Sequence, residues 1–277
     1  MDLELPGESP IAPSDAEVPG GGEGEVSAPE EVEKSWQETD LGRRLREANP
    51  EELARLLAAH GAEIGAGEAV EALRNPYLSA EGAREIAERP DLVSAYEVRR
   101  ALALSPRAPE VVALNLVTGL YCADLLAVSL EVRVRPTVRR AAEVALLARL
   151  PRLAVGEKIA IARRGGAGVI AALRTDPTPR VIAALLENPR LTEGLLGPAL
   201  ASDRALPALL AAVAANPRWG ARHDLRLLIC RNPHTPVAVV LPLLPALRKD
   251  ELRGLAGDSR LASPLRRRAE LLSGRAG

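Results

Sequence analysis

A recurring turn constrains this chain more than any other feature. Asn75-Pro76-Tyr77-Leu78-Ser79-Ala80-Glu81-Gly82 returns, with one deletion, as Asn188-Pro189-Arg190-Leu191-Thr192-Glu193-Gly194. Leu104-Ser105-Pro106-Arg107-Ala108-Pro109-Glu110-Val111 parallels Arg231-Asn232-Pro233-His234-Thr235-Pro236-Val237-Ala238, and Asp176-Pro177-Thr178-Pro179-Arg180-Val181, Asn216-Pro217 and Asp258-Ser259 read as shorter copies. Proline cannot continue a helix, Asn, Asp or Ser accommodates a turn or left-handed backbone, and a Ser/Thr or second Pro opens the next helix. Between these marks lie apolar-periodic runs of roughly 10 to 15 residues, so the expected units are about 25 to 45 residues long, each one or two helix pairs.

The side chains available favour the same reading. The apolar residues are almost all Ala, Leu and Val; Phe is absent, and the aromatics are Tyr77, Tyr96, Tyr121, Trp36 and Trp219. Small aliphatic side chains suit closely approaching helices, whereas strands recruit the aromatic and β-branched residues that are scarce here. Pro50 followed by Glu51-Glu52 marks a helix start, with Leu53, Leu56 and Leu57 as its buried stripe. Ser79 is the expected N-cap of a helix running to Glu88, with Ala80, Ala83 and Ala87 on its inner face. Val138 to Leu150 is apolar around more than half its circumference, which predicts cover on two sides.

Charge divides the chain. Residues 1–40 hold twelve acids against the single base Lys34, while the remainder carries 35 basic and 25 acidic residues. Residues 1–34 mix Pro, Gly and Glu with no apolar period, so a disordered acidic tail is expected, followed by a helical-repeat domain over 35–273. Gly156 to Gly168 interrupts the pattern; its expected form is a short helix with Glu157 near its start, Arg163 and Arg164 near its end, a glycine terminator, and an internal break near 164–168.

These turns and helices, as in Leu228-Ile229-Cys230-Arg231-Asn232-Pro233-His234-Thr235-Pro236, resemble the HEAT-like and leucine-rich-repeat-variant arrays of bacteria, over roughly residues 50–273. The resemblance implies an all-α, irregular α-solenoid of stacked helix pairs that acts as a non-enzymatic scaffold or adaptor for a protein partner.

Residue patterns for catalysis are missing from the sequence. His60, His223 and His234 form no His-Glu or i, i+4 ligand pair of the kind repeated in HEAT-like di-iron hydroxylases, and Cys122 and Cys230 have no Cys-x-x-Cys spacing. Neither a Gly-x-Ser-x-Gly nucleophile turn nor a phosphate loop occurs. The expectation is a protein without catalytic residues, metal or cofactor. Two cysteines, an acidic N-terminus without an apolar signal core and no long uncharged apolar run point to the cytoplasm and away from the membrane.

Arginine pairs are the remaining candidates for binding. Arg99-Arg100, Arg139-Arg140, Arg163-Arg164 and Arg222 with Arg226 fall on successive expected helices, as does Arg266-Arg267-Arg268. In a stacked array they would line one face as a basic stripe for an acidic peptide or for phosphates, or they would satisfy helix carbonyls and carboxylates of neighbouring units. Trp219, with Asp224, Arg222 and Arg226 close by, resembles the lesion-facing residues of HEAT-like alkylpurine DNA glycosylases, which implies nucleic-acid binding through an Arg-rich concave face as the alternative function. The scarcity of other aromatics for stacking on bases argues for a packed tryptophan instead.

Overall fold

The structure is a computed structural model, and it describes residues 39–274. The expected acidic tail at 1–34 and the helical start near Trp36 lie outside the described residues. From residue 39 onward the chain is all-helical, with no strand among the described residues. In order it forms α1 (Asp40–Glu47), α2 (Pro50–His60), α3 (Ala66–Arg74), α4 (Ala80–Ala87), α5 (Pro90–Val93), α6 (Tyr96–Leu104), α7 (Glu110–Val117), α8 (Cys122–Leu130) and α9 (Pro136–Arg149). There follow α10 (Val155–Arg164), α11 (Ala167–Leu173), α12 (Pro179–Leu186), α13 (Glu193–Ala201), α14 (Pro207–Ala215), α15 (His223–Arg231), α16 (Val237–Val240), α17 (Lys249–Gly257) and α18 (Ser263–Ser273).

Local chemistry accounts for the starts. The Asn49 Oδ1 accepts the Glu52 N–H at 2.9 Å, the Ser79 Oγ accepts the Gly82 N–H at 3.0 Å, and proline occupies the first turn of α2, α9, α12 and α14. Helices then pack against others further along the chain: α1 on α3, α3 on α6, and α6 on α8; α7 on α9; α10 on α12, and α12 on α14; α13 on α15, and α15 on α17. Three clusters of buried aliphatic residues run through these contacts, from Leu45 to Ala108, from Ala103 to Ile229 and from Cys230 to Ala269.

The Asn-Pro turns do more than stop helices. Asn75, buried, donates its amide to the carbonyls of Leu45 (2.8 Å) and Ala48 (2.9 Å) at the end of α1, while its Oδ1 accepts the Tyr77 N–H at 2.8 Å. Asn188 repeats this on Ala162 (2.7 Å) and Gly165 (3.0 Å) at the end of α10, accepting from Arg190. Asn232 does so on Leu200 (2.7 Å) and Ser202 (2.9 Å) at the end of α13, accepting from His234. The last turn of a helix leaves carbonyls without partners. Each asparagine captures two of them at the end of a helix earlier in the chain while shaping its own turn. Of the turn or left-handed backbone expected here, the turn is what forms: no non-glycine residue described has positive φ, and Asn75 sits at φ −69°, ψ 123°. The following proline drives its predecessor into this extended region.

Two further expectations need correction. On α4 the inner face is Gly82, Ala83 and Ile86, and Ala80 is exposed, because Gly82 must let the helix approach Leu57 and Leu78, whose methyl carbons would lie 3.1 and 3.0 Å from an added Cβ. α9 packs against α7, α8 and α11 as its apolar pattern expects, burying Val138, Ala142 and Leu146, and it leaves the flank of Val144 open. The Gly165-Gly166 bend joins α10 to α11 inside one continuous cluster rather than breaking the domain there. A Cβ on Gly165 would lie 2.4 Å from Val169 Cγ1, so close helix approach requires glycine there. The expected role of Glu157 holds: its Oε2 accepts the Ala154 N–H at 3.1 Å.

Candidate functional site

The arginines expected to form a stripe divide into two sorts. Arg99, Arg139, Arg226 and Arg266 each stand fourth in α6, α9, α15 and α18, directly after the buried Val98, Val138, Leu225 and Leu265. They are half-buried. Arg226 donates to the Gly220 and Ala221 carbonyls at 3.0 and 3.4 Å; Arg99 lies 5.6 Å over the Tyr96 ring. The Nε atoms of Arg99, Arg139 and Arg266 are sealed from solvent without a hydrogen-bond partner. These side chains serve the packing of their own units.

Several of the exposed arginines join neighbouring helices. Arg100 on α6 pairs with Asp124 on α8 at 2.5 Å, Arg163 at the end of α10 with Glu187 after α12 at 3.3 Å, and Arg222 before α15 with Glu193 on α13 at 3.1 Å. Exposed pairs contribute about 0 to 1 kcal/mol each, so they set register more than stability. Arg140 and Arg164 remain exposed. Trp219, a candidate for the binding surface that the scarcity of other aromatics argued was packed instead, is packed and not on the surface. It is 2% exposed, its indole N–H donates to the Leu186 carbonyl at 3.0 Å, and Arg218 covers its ring at 4.3 Å. Leu186 ends α12, so the indole performs there what the asparagine amide performs at α1, α10 and α13. Arg149 does likewise, donating to the Thr118 and Leu120 carbonyls after α7, both at 2.6 Å.

Two polar hubs lie between units. At the first, the Tyr96 hydroxyl donates to Asp124 and accepts the Tyr121 N–H at 3.0 Å, with the two tyrosine rings 4.5 Å apart. Burial and the Asp124 carboxylate raise the Tyr96 pKa well above its ordinary value, so it stays a neutral donor. At the second, buried Glu251 accepts from His223 Nε2 at 2.8 Å, from the Arg248 N–H at 2.8 Å and from the Arg248 guanidinium. Burial opposes its ionisation, but the Arg248 backbone, His223 and the guanidinium outweigh it and lower its pKa to about 2. A carboxylate so fully engaged is poorly suited to act as a general base. Burial pushes the Cys230 thiol up to about 12, which suppresses thiolate chemistry. Among the described residues, no group of three or more His, Cys, Asp or Glu could hold a metal ion, and no helix is long and apolar enough to cross a membrane.

What is left unspent is the open flank of α9. Pro136, Thr137, Arg140, Ala141 and Val144 line a shallow depression of about 450 Å³. Val144 is 61% exposed, Val132 on the approach to α9 78%, and Val111 on the adjacent α7 70%. Glu110 holds the two helix starts together, accepting from the Thr137 hydroxyl at 2.5 Å and from Arg135 at 3.2 Å. The Thr137 hydroxyl, then Arg135, pull the Glu110 pKa below its ordinary value. Of this flank, the sequence pattern marks Arg140 but not the valines. The signal was present in the all-round apolar pattern of α9.

No family model, curated protein or solved structure matches this chain.

Proposed function

We propose that this chain is a non-enzymatic interaction scaffold, an irregular α-solenoid of the HEAT-like kind, which docks a protein partner on the exposed flank of α7 and α9. The solenoid reading is supported by helices that pack on one lying two or three places further along and by clamps that recur at sequence separations of 23 to 32 residues. The docking reading rests on one observation: Val111, Val132 and Val144 are more than half exposed in a chain whose other large aliphatic residues are mostly buried. Exposed apolar side chains are a usual mark of an interaction surface, and Val144 itself lines the depression on α9. The nucleic-acid alternative has less support, because Trp219 is enclosed and Arg100, Arg163 and Arg222 are paired with carboxylates.

Affinity capture with the full chain tests this. Val144→Glu should remove the specific partner, whereas a combined Arg100→Ala, Arg163→Ala and Arg222→Ala variant should retain it. Duplex DNA binding that weakens steeply with salt and is lost in the triple-arginine variant would favour the alternative instead.

A further inference from the structure

We infer that the α9 flank takes an amphipathic helix carrying a carboxylate at the centre of its apolar stripe; this rests on the docking reading above. Pro136, Thr137, Arg140, Ala141 and Val144 recur at helical spacings that put them in one stripe, roughly 12 Å long at 1.5 Å per residue. An exposed stripe of that form, itself lining a shallow depression, is what a second helix packs against.

Arg140 stands in the middle of the stripe and pairs with no carboxylate among the described residues. The nearby acids are engaged elsewhere. Glu110 holds Thr137 and Arg135, Glu131 is held by Arg133 at 3.0 Å, and Glu143 lies against Gly168, where an added Cβ would meet its Oε1 at 2.3 Å. An apolar surface laid over the stripe would strip water from the Arg140 guanidinium. Leaving that charge desolvated and unpaired is costly, so a tight partner must bring a carboxylate to it.

The same geometry disfavours other occupants. A second copy pairing its own stripe antiparallel about a two-fold axis would set Arg140 against Arg140 near the centre, placing like charges together. A duplex needs many cations along its phosphates, and this stripe offers one among apolar side chains.

The test uses the full chain as bait for a displayed library of amphipathic helical peptides whose central stripe position is Glu, Gln or Lys. Glu-centred peptides should be enriched. A selected peptide should lose on the order of tenfold in affinity on Arg140→Glu, and its Lys-centred version should recover affinity for that variant. Val144→Glu, at an exposed position, should abolish binding of every selected peptide. Equal enrichment of Gln or Lys, or undiminished binding of Glu peptides to Arg140→Glu, overturns the carboxylate inference while loss on Val144→Glu still upholds the face. Peptides that bind Val144→Glu as well as the parent overturn both. A concentration-dependent dimer in sedimentation that Val144→Glu dissociates would make a second copy the occupant and overturn the inference.

Discussion

Replacing Asn188 with aspartate exchanges one NH₂ group for an oxygen and inverts an interaction at the joint between α10 and α12. The native amide donates to the Ala162 and Gly165 carbonyls at 2.7 and 3.0 Å, and the side chain is 0% exposed. Asn188→Ala removes these bonds and the one from the Arg190 N–H at 2.8 Å. At about 1 kcal/mol net per bond, the loss is roughly 3 kcal/mol, and more where the freed carbonyls stay dry. For a domain of this size that corresponds to a fall in Tm of about 6 to 12 °C. Asn188→Asp keeps the acceptor for Arg190 but aims a carboxylate at two carbonyl oxygens, so it should cost more than alanine at neutral pH. The folded state then disfavours the ionised form, so the pKa of the new acid is raised above its unfolded value of about 3.9. Its penalty should shrink as pH falls from neutral, because a protonated acid regains a donor. Urea unfolding followed by circular dichroism, with Trp219 fluorescence as a local probe, measures this, and Asn115→Asp on the exposed side of α7 is the control. If Asn188→Asp is no more destabilising than Asn115→Asp, or gains nothing on acidification, the clamp is not holding the joint.

Three further outcomes follow from particular contacts. Glu251 contributes stability that is fully present above its ordinary pKa of 4.5 and is lost as pH falls through about 2. Glu251→Gln should flatten the stability profile between those pH values, as followed by thermal denaturation. Gly165→Ala forces a Cβ to 2.4 Å from Val169 Cγ1 and 2.8 Å from Val169 Cβ, and should cost about 1 to 3 kcal/mol in urea unfolding. Trp219→Phe keeps most of the ring but loses the bond to the Leu186 carbonyl, costing about 1 to 2 kcal/mol, whereas Trp219→Ala should cost about 3 to 5.

Much of the helical architecture was legible because its signals are local. Proline, N-cap residues and aliphatic period marked α2, α4 and α10 from the sequence. Which side of a helix faces inward was less legible where alanine and glycine decide: on α4 the backbone approach at Gly82, not the alanine stripe, sets the buried face. The turn asparagines were seen as punctuation, but their bonds reach residues 23 to 32 positions back, a separation that no local pattern encodes. The arginine pairs were visible too. Whether each one meets solvent, a loop carbonyl or a carboxylate depended on tertiary neighbours such as Asp124, Glu187 and Glu193. The exposed valines were hidden for a similar reason, since an apolar residue on α9 reads as core until the chain leaves that flank uncovered.

Site-specific photo-crosslinking tests the docking face most directly. A benzoylphenylalanine at position 144, and separately at 111, should yield one discrete product with a partner protein in the cells that make the chain. The same group at exposed Glu85 on α4 should yield none, and Arg140→Glu should reduce the product. Identical products from positions 144 and 85, a product only from 85, or a product made of two copies of this chain would contradict the account.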